Sequence, residues 1–318
     1  MAEENGTVNI TFPEESVELI TIDPDAEVID FNHARLERIE NLDQLTKAKS
    51  LCLRNNLIKK IENLETISET LEELDLYDNQ ITKIENLDKL VNLSILDLSF
   101  NRIKLIENID KLIKLTKLYF VNNKIRTIEN LNSLVNIEML ELGSNSIKRI
   151  ENLDSLTKLD QLYLGKNKIS KLENLDFMKN LTVLSIQGNR ITQIDGLDNL
   201  INLEQLYLSH NGISKIENLG NLTKLTTLDL SSNRISKVEN LSHLKILEEF
   251  WFNDNNLADW NSIDELVNLE KLATVYFERN PIWYTPDRSK EDPNYRRKIR
   301  LLLPKLKQID AHLTGVGL

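Results

Sequence analysis

Ile137-Glu-Met-Leu140-Glu-Leu142-Gly-Ser-Asn145-Ser-Ile147-Lys-Arg-Ile150-Glu-Asn-Leu153 sets apolar residues at 137, 140, 142, 147, 150 and 153 around one asparagine. That spacing fits neither a helical period nor the alternation of a simple strand. It follows L-x-x-L-x-L-x-x-N-x-L, and the asparagine recurs as Asn56, Asn79, Asn101, Asn123, Asn145, Asn167, Asn189, Asn211, Asn233, Asn255 and Asn280. Nine of the ten steps are 22 or 23 residues, and the last is 25. One more unit precedes them, Ile29-Asp-Phe31-Asn-His-Ala34-Arg-Leu36, with Ala34 in the asparagine position.

Twelve copies of that pattern predict an α/β leucine-rich-repeat solenoid. In Leu140-Glu141-Leu142 the two leucines turn inward and Glu141 outward, because successive strand side chains take opposite faces. Burying each Leu or Ile contributes roughly 1.5–3 kcal/mol, while ordering each residue of a repeat costs roughly 1.5 kcal/mol. A lone repeat therefore cannot fold, and stacked copies cover one another's apolar edges. The asparagine, with donor and acceptor in one amide, is expected to satisfy backbone groups where the chain bends out of each strand. Parallel strands are expected on the concave face, short helical or 3₁₀ turns on the convex face, and a helical cap at the C-terminal end.

The composition divides the 318 residues into an acidic tail over 1–24, the solenoid over 25–283 and a cap over 284–318. Residues 1–34 hold nine acidic residues and no Lys or Arg, so most of the formal charge of −11 sits there and the first segment is expected to be mobile. No apolar run approaches the ~18 residues of a membrane span, so no membrane partner is expected. The start Met-Ala-Glu-Glu-Asn-Gly has no signal-peptide pattern, and with the single Cys52 this predicts a reducing compartment, nucleus or cytoplasm. Extra residues enter near Ser68–Thr70 and between Asn261 and Thr274, away from the asparagine turn, where strand register is not disturbed. In the cap, Asp292-Pro293 reads as a helix N-cap followed by Pro at the first helical position, and Tyr295, Ile299 and Leu302 or Leu303 form the apolar stripe. The basic run Arg296-Arg297-Lys298 with Arg300 is read as a charged helix surface, not as a nucleic-acid site.

The outward residue before the last strand leucine forms the row Asp30, Cys52, Asp75, Asp97, Tyr119, Glu141, Tyr163, Ser185, Tyr207, Asp229, Trp251, Tyr276. Water-facing strands have no folding reason to carry so many rings, whereas Tyr and Trp are the usual anchors of protein interfaces. Tyrosines that merely stiffen the sheet are the bland alternative, since β surfaces favour aromatics. Beside the rings stand Asp97, Glu141, Asp229 and Glu249, which suit a partner with basic and apolar features. Catalysis finds no comparable support. His33, His210, His243 and His312 lack metal-ligand spacing, no phosphate-binding or nucleophile motif occurs, and neither metal nor cofactor is expected.

The Ile-Glu-Asn-Leu steps, Leu140-Glu-Leu-Gly-Ser-Asn145, Tyr207-Leu-Ser-His-Asn-Gly212, Glu249-Phe-Trp251 and the segment from Asn280-Pro281 to Gln308-Ile-Asp310-Ala311 resemble the leucine-rich-repeat regulatory subunits of protein phosphatase 1. The likeness covers nearly all the chain after residue 25. It implies a non-enzymatic regulator that grips the phosphatase catalytic subunit with its concave face, in nucleus and cytoplasm and including mitosis, with room for a further phosphatase inhibitor in a ternary complex. The family's contact positions fall on Asp97, Tyr119, Glu141, Tyr163, Asp229, Glu249, Trp251 and Tyr276. Tyr119 and Tyr163 replace a phenylalanine of some relatives, keeping the ring and adding a hydroxyl. No R-V-x-F docking tetrapeptide occurs, so binding would rest on the folded surface. The competing expectations are a generic scaffold for another basic protein and an RNA–protein assembly factor.

Overall fold

Asparagine periodicity becomes a ladder of short strands in the computed structural model, which describes residues 8–9, 19–20 and 22–316. Most of the acidic tail, for which mobility is expected, lies outside the described residues. The chain divides into two compact units, Met1–Ile147 with Glu151–Leu159, and Lys148–Ile150 with Asp160–Leu318. In the first, Val8–Asn9 (β1) and Leu19–Ile20 (β2) form an antiparallel pair. Val28–Asp30 (β3), Ser50–Cys52 (β4), Glu73–Asp75 (β5), Ile95–Asp97 (β6), Lys117–Tyr119 (β7) and Met139–Glu141 (β8) then pair in chain order, all parallel. The second unit continues the same plan with Gln161–Tyr163 (β9), Val183–Ser185 (β10), Gln205–Tyr207 (β11), Thr227–Asp229 (β12), Glu249–Trp251 (β13) and Thr274–Tyr276 (β14). The strands β3 to β14 fall on the twelve predicted repeats, and the middle residue of each is buried.

The ladder asparagines act as junctions between repeats, and most of them are buried. Asn145 Oδ1 accepts the Ile125 N–H at 3.0 Å, while its Nδ2 donates to Phe120 O (2.8 Å), Leu142 O (3.1 Å) and Gly143 O (3.2 Å). One of those carbonyls belongs to the preceding repeat, so the amide closes its own turn and also ties it to its neighbour. Asn56, Asn79 and Asn101 repeat the set in the first unit, and Asn233 and Asn255 in the second. Such bonds make the bend possible, because the residue just before each asparagine is left-handed, with φ of 56° at Asn55, 55° at Ser144 and 54° at Lys166. That conformation costs a non-glycine residue roughly 1–2 kcal/mol.

A second asparagine row, from the Ile-Glu-Asn-Leu steps, holds the return path. Asn86, Asn108, Asn130 and Asn152 are also left-handed, and their Nδ2 groups donate across the repeat to the carbonyls of Ile61, Ile84, Ile106 and Ile128 at 2.6–2.7 Å. In the second unit Gly196 takes this place with φ +65°, where an added Cβ would stand 2.8 Å from Leu172 O. After the asparagine the chain makes successive i→i+3 turns, such as Leu134 N–H to Leu131 O (3.0 Å) and Ile137 N–H to Leu134 O (3.1 Å). Full 3₁₀ segments form at Glu65–Ile67 and Trp260–Leu266, in the two repeats with extra residues, because only these have the length for another turn.

The cap differs from expectation in two respects. The helix α1 spans Tyr295–Leu302 and its N-cap is Asn294, so Asp292 is not the cap and Pro293 is not the first helical residue. Asp292 instead folds a turn ahead of the helix, accepting the Asn294 N–H through Oδ1 (2.9 Å) while its carbonyl takes the Tyr295 N–H. Second, the sheet does not end with the repeats. Gln308–Ile309 (β15) adds in parallel to β14, and His312–Leu313 (β16) turns back antiparallel on β15. Tyr295 and Ile299 are buried as the stripe predicts. Asp310 locks the end of the stack by accepting from Phe277 N–H (2.9 Å), Glu278 N–H (3.1 Å) and the Tyr295 hydroxyl (3.3 Å).

Asn145→Ala removes four hydrogen bonds to the backbone of two repeats and should cost about 3 kcal/mol or more, whereas Asn152→Gly keeps the left-handed turn, loses one hydrogen bond and should cost about 1 kcal/mol. Urea unfolding of the two variants measures the difference. Equal losses would contradict the four-way role of the ladder position.

Candidate functional site

A three-residue strand buries its middle side chain and turns its first and third outward. The third positions of the first unit bring Asp75, Asp97, Tyr119 and Glu141 side by side in register. These acids also have a local duty that sequence reasoning missed. Asp75, Asp97 and Glu141 each accept the backbone N–H two residues ahead, from Tyr77 (3.0 Å), Ser99 (2.8 Å) and Gly143 (3.1 Å), as Asp229 does from Ser231 (2.9 Å) in the second unit. The signal was in the sequence, since a short acid at a strand end followed by a left-handed residue is a side-chain-closed turn. Where Tyr119 interrupts the acids, Val121 N–H turns to Ser99 Oγ instead (3.1 Å).

Crowding has an electrostatic result. Burial pushes the Glu141 carboxyl up from 4.5 to about 7, with the Gly143 N–H opposing and the charge of Asp97 adding to the rise. Asp75 is raised by burial and by Asp97, against the pull of Tyr77 N–H and of Arg54, whose guanidinium lies 3.1 Å away. The Tyr119 hydroxyl is raised too, by burial and then by Asp97 and Glu141. A face with carboxylates held in this state gains from a cation placed against it.

In the second unit the rings gather. Trp251 packs edge-on against Tyr276 at 5.8 Å between centroids, and against Tyr207 at 6.3 Å, although Asp229 stands on the strand between Tyr207 and Trp251. Asp229 is accordingly only 5% exposed, and its Oδ1 also takes the Ser231 hydroxyl at 2.6 Å. Glu249 shares the outward side of β13 with Trp251, Phe250 between them being buried. Tyr163 and Tyr207 each donate their hydroxyl to the outward glutamine of the same strand, Gln161 (3.0 Å) and Gln205 (3.1 Å), and Gln308 Nε2 donates to the Tyr276 hydroxyl (2.7 Å). The Trp251 Nε1 has no partner among the described residues and is closed to solvent.

Of the eight singled-out positions, Asp97, Tyr119 and Glu141 thus form one contiguous group, and Asp229, Glu249, Trp251 and Tyr276 another, joined by Tyr207. Tyr163 lies two strands from Tyr207 in its own unit, separated by the buried Ser185. Among the described residues, no three His, Cys, Asp or Glu side chains are placed to hold a metal ion, and no helix is long and apolar enough to cross a membrane.

Comparison with known proteins agrees with the repeat architecture. The family described as Leucine Rich repeats (2 copies) matches residues 69–112, 135–177, 157–199, 179–219 and 201–243. The chain is 56% identical over 60 residues to protein phosphatase 1 regulatory subunit 7 of Xenopus tropicalis, a match covering 19% of this chain and 17% of that protein. Against protein phosphatase 1 regulatory subunit SDS22 of Schizosaccharomyces pombe the identity is 55% over 49 residues, 15% of this chain and 13% of the relative. These matches therefore span less than a fifth of either relative. Among solved structures, an internalin (inlF) from Listeria monocytogenes superposes with a TM-score of 0.71 at 25% identity, covering 93% of this chain and 90% of its own. A leucine-rich-repeat protein of Leptospira interrogans gives 0.67 at 24% identity over 84% of this chain and 74% of its own, a likeness of fold.

The Glu141 shift fixes a sign for stability. Below pH 4.5 folded and unfolded chains both hold the proton; between 4.5 and about 7 only the folded chain does, so stability falls as pH rises, and above about 7 the loss is complete. Glu141→Gln should therefore gain on the wild type by on the order of 1–2 kcal/mol as pH rises through that window. Denaturant midpoints at the two ends measure it, and a pH-independent difference would remove the burial effect.

Proposed function

We propose that this leucine-rich-repeat protein is a non-catalytic regulatory subunit that holds a protein phosphatase 1-like Ser/Thr catalytic subunit against the outward strand faces of its repeats. The observation that carries the reading is the Tyr207–Trp251–Tyr276 cluster beside Asp229 and Glu249. A buried indole N–H without a partner, in a ring cluster on an open strand face, is a costly arrangement for an isolated sheet. Rings gathered on an outward strand face are what an interface anchor requires, because aromatic side chains supply large contact area at little entropic cost. The names of the matched relatives support the choice of partner, and the acid group of the first unit supports a basic contact surface on it. The proposed setting is nucleus and cytoplasm, in keeping with the unpaired Cys52.

Two measurements test the proposal. Trp251→Ala, titrated with the catalytic subunit, should lose about 2 kcal/mol, roughly 30-fold in Kd, at unchanged fold stability; equal affinity would sink the assignment of the ring cluster. A basic side chain set against Glu141 must draw off its proton, so wild-type affinity should rise by up to about tenfold in all between pH 6 and pH 8, flattening above about 7, while Glu141→Gln stays flat. Parallel pH profiles for the two proteins would place the partner's contact elsewhere.

A further inference from the structure

The whole chain carries a net charge of −11, yet helix α1 carries Arg296, Arg297, Lys298 and Arg300 and no acid. Two of those four are neutralised from outside the helix. Arg296 pairs with Glu291 and lies 3.8 Å from Asp310 Oδ2, and Lys298 pairs with Asp292 at 2.8 Å. Arg297 and Arg300 are exposed and meet no carboxylate among the described residues. Spaced three apart, they lie on one side of the helix and repel each other.

The helix dipole explains half of this. Arg300 sits in the last turn, where a cation is favoured, but Arg297 sits in the first turn, where it is not. The face is solvent-exposed but concave rather than flat. The two guanidiniums and Arg296 line a cleft of about 300 Å³ whose opposite wall is Ile309, His312 and Leu313 of the β15–β16 hairpin. Arg296 adds an orphan of its own, an Nε–H closed to solvent with no hydrogen-bond partner among the described residues. Leu313, 69% exposed at the cleft, offers apolar contact beside the charge.

We propose that this cleft is an acceptor site for a phosphorylated serine or threonine in an extended segment of a protein partner. Two unneutralised guanidiniums match the charge of a phosphate near −2, and their planar forks meet its oxygens in pairs, which a lone carboxylate does not fill. The residue next to the phosphate lies on Leu313. Nucleic acid fits less well, since no Phe, Tyr or Trp lines the cleft and the imidazole of His312 is its single ring, too little to stack successive bases. The site depends on the cap alone and is independent of the phosphatase assignment.

The test uses the full chain and three labelled probes: a short peptide with one phosphoserine next to leucine, the same peptide unphosphorylated, and a single-stranded oligoribonucleotide. Fluorescence anisotropy should show saturable binding of the phosphopeptide, weakened about tenfold or more both by removing the phosphate and by Arg297→Ala/Arg300→Ala. Both side chains are exposed, so the double variant should melt with the wild type. Arg297→Lys/Arg300→Lys, which keeps the charge and loses the forks, should bind between the two. Equal binding of the unphosphorylated peptide, full affinity in the alanine variant, full affinity in the lysine variant, or tighter binding of the oligoribonucleotide would each overturn the proposal.

Discussion

A three-residue strand leaves its backbone polar groups stranded as soon as the chain turns out of the sheet, and the rest of this structure depends on how they are met. The ladder asparagine meets them with one amide, its oxygen serving the preceding repeat and its nitrogen serving both repeats. Buried amide bonds of this kind contribute modestly when made and cost heavily when missing. Each repeat consequently completes its neighbour's hydrogen bonding as well as covering its leucines, and the two requirements force the same register at every step.

That division of labour leaves the outward strand positions free of the ladder, although not of every structural duty. Asp97, Glu141 and Asp229 close their own turns through the N–H two residues ahead, so the acids are placed by local folding before any contact is considered. Their second consequence is electrostatic: burial, with a smaller contribution from the charge of Asp97, raises Glu141 towards neutrality. The aromatic positions are different. Tyr207, Trp251 and Tyr276 close no turn of this kind: Trp251 packs against both tyrosines, whose hydroxyls meet Gln205 and Gln308, and the proposed recognition depends on these rings rather than on the carboxylates.

The repeat count, strand positions and ladder asparagine were legible because each recurs with the period of the fold. So was the outward row, since alternation along a strand needs no knowledge of neighbours. What failed was whatever lacks a period. The helix start at Asn294 rather than Asp292 was misread because Asp-Pro satisfies two local rules, while the structure uses the same aspartate to build a turn first. Strand β15 was missed because Gln308-Ile309-Asp310 contains no Leu-x-Leu and takes its register from β14. The second asparagine row was visible as letters in every Ile-Glu-Asn-Leu step, and Gly196 at one such place signalled left-handed backbone. The ring cluster itself required coordinates, for nothing in the spacing says that Tyr207 reaches Trp251 past Asp229.

The amides that fasten each turn never use the first and third side chains of a strand. Those positions can therefore change with the ladder amides intact, provided that the turn bond of an acid such as Asp97 or Glu141 is replaced, as Ser99 Oγ replaces it for Val121 N–H beside Tyr119. A bacterial internalin can keep this frame over most of its length with a quarter of its residues in common, and kinship in such proteins is better judged from inward positions, allegiance to a partner from outward ones.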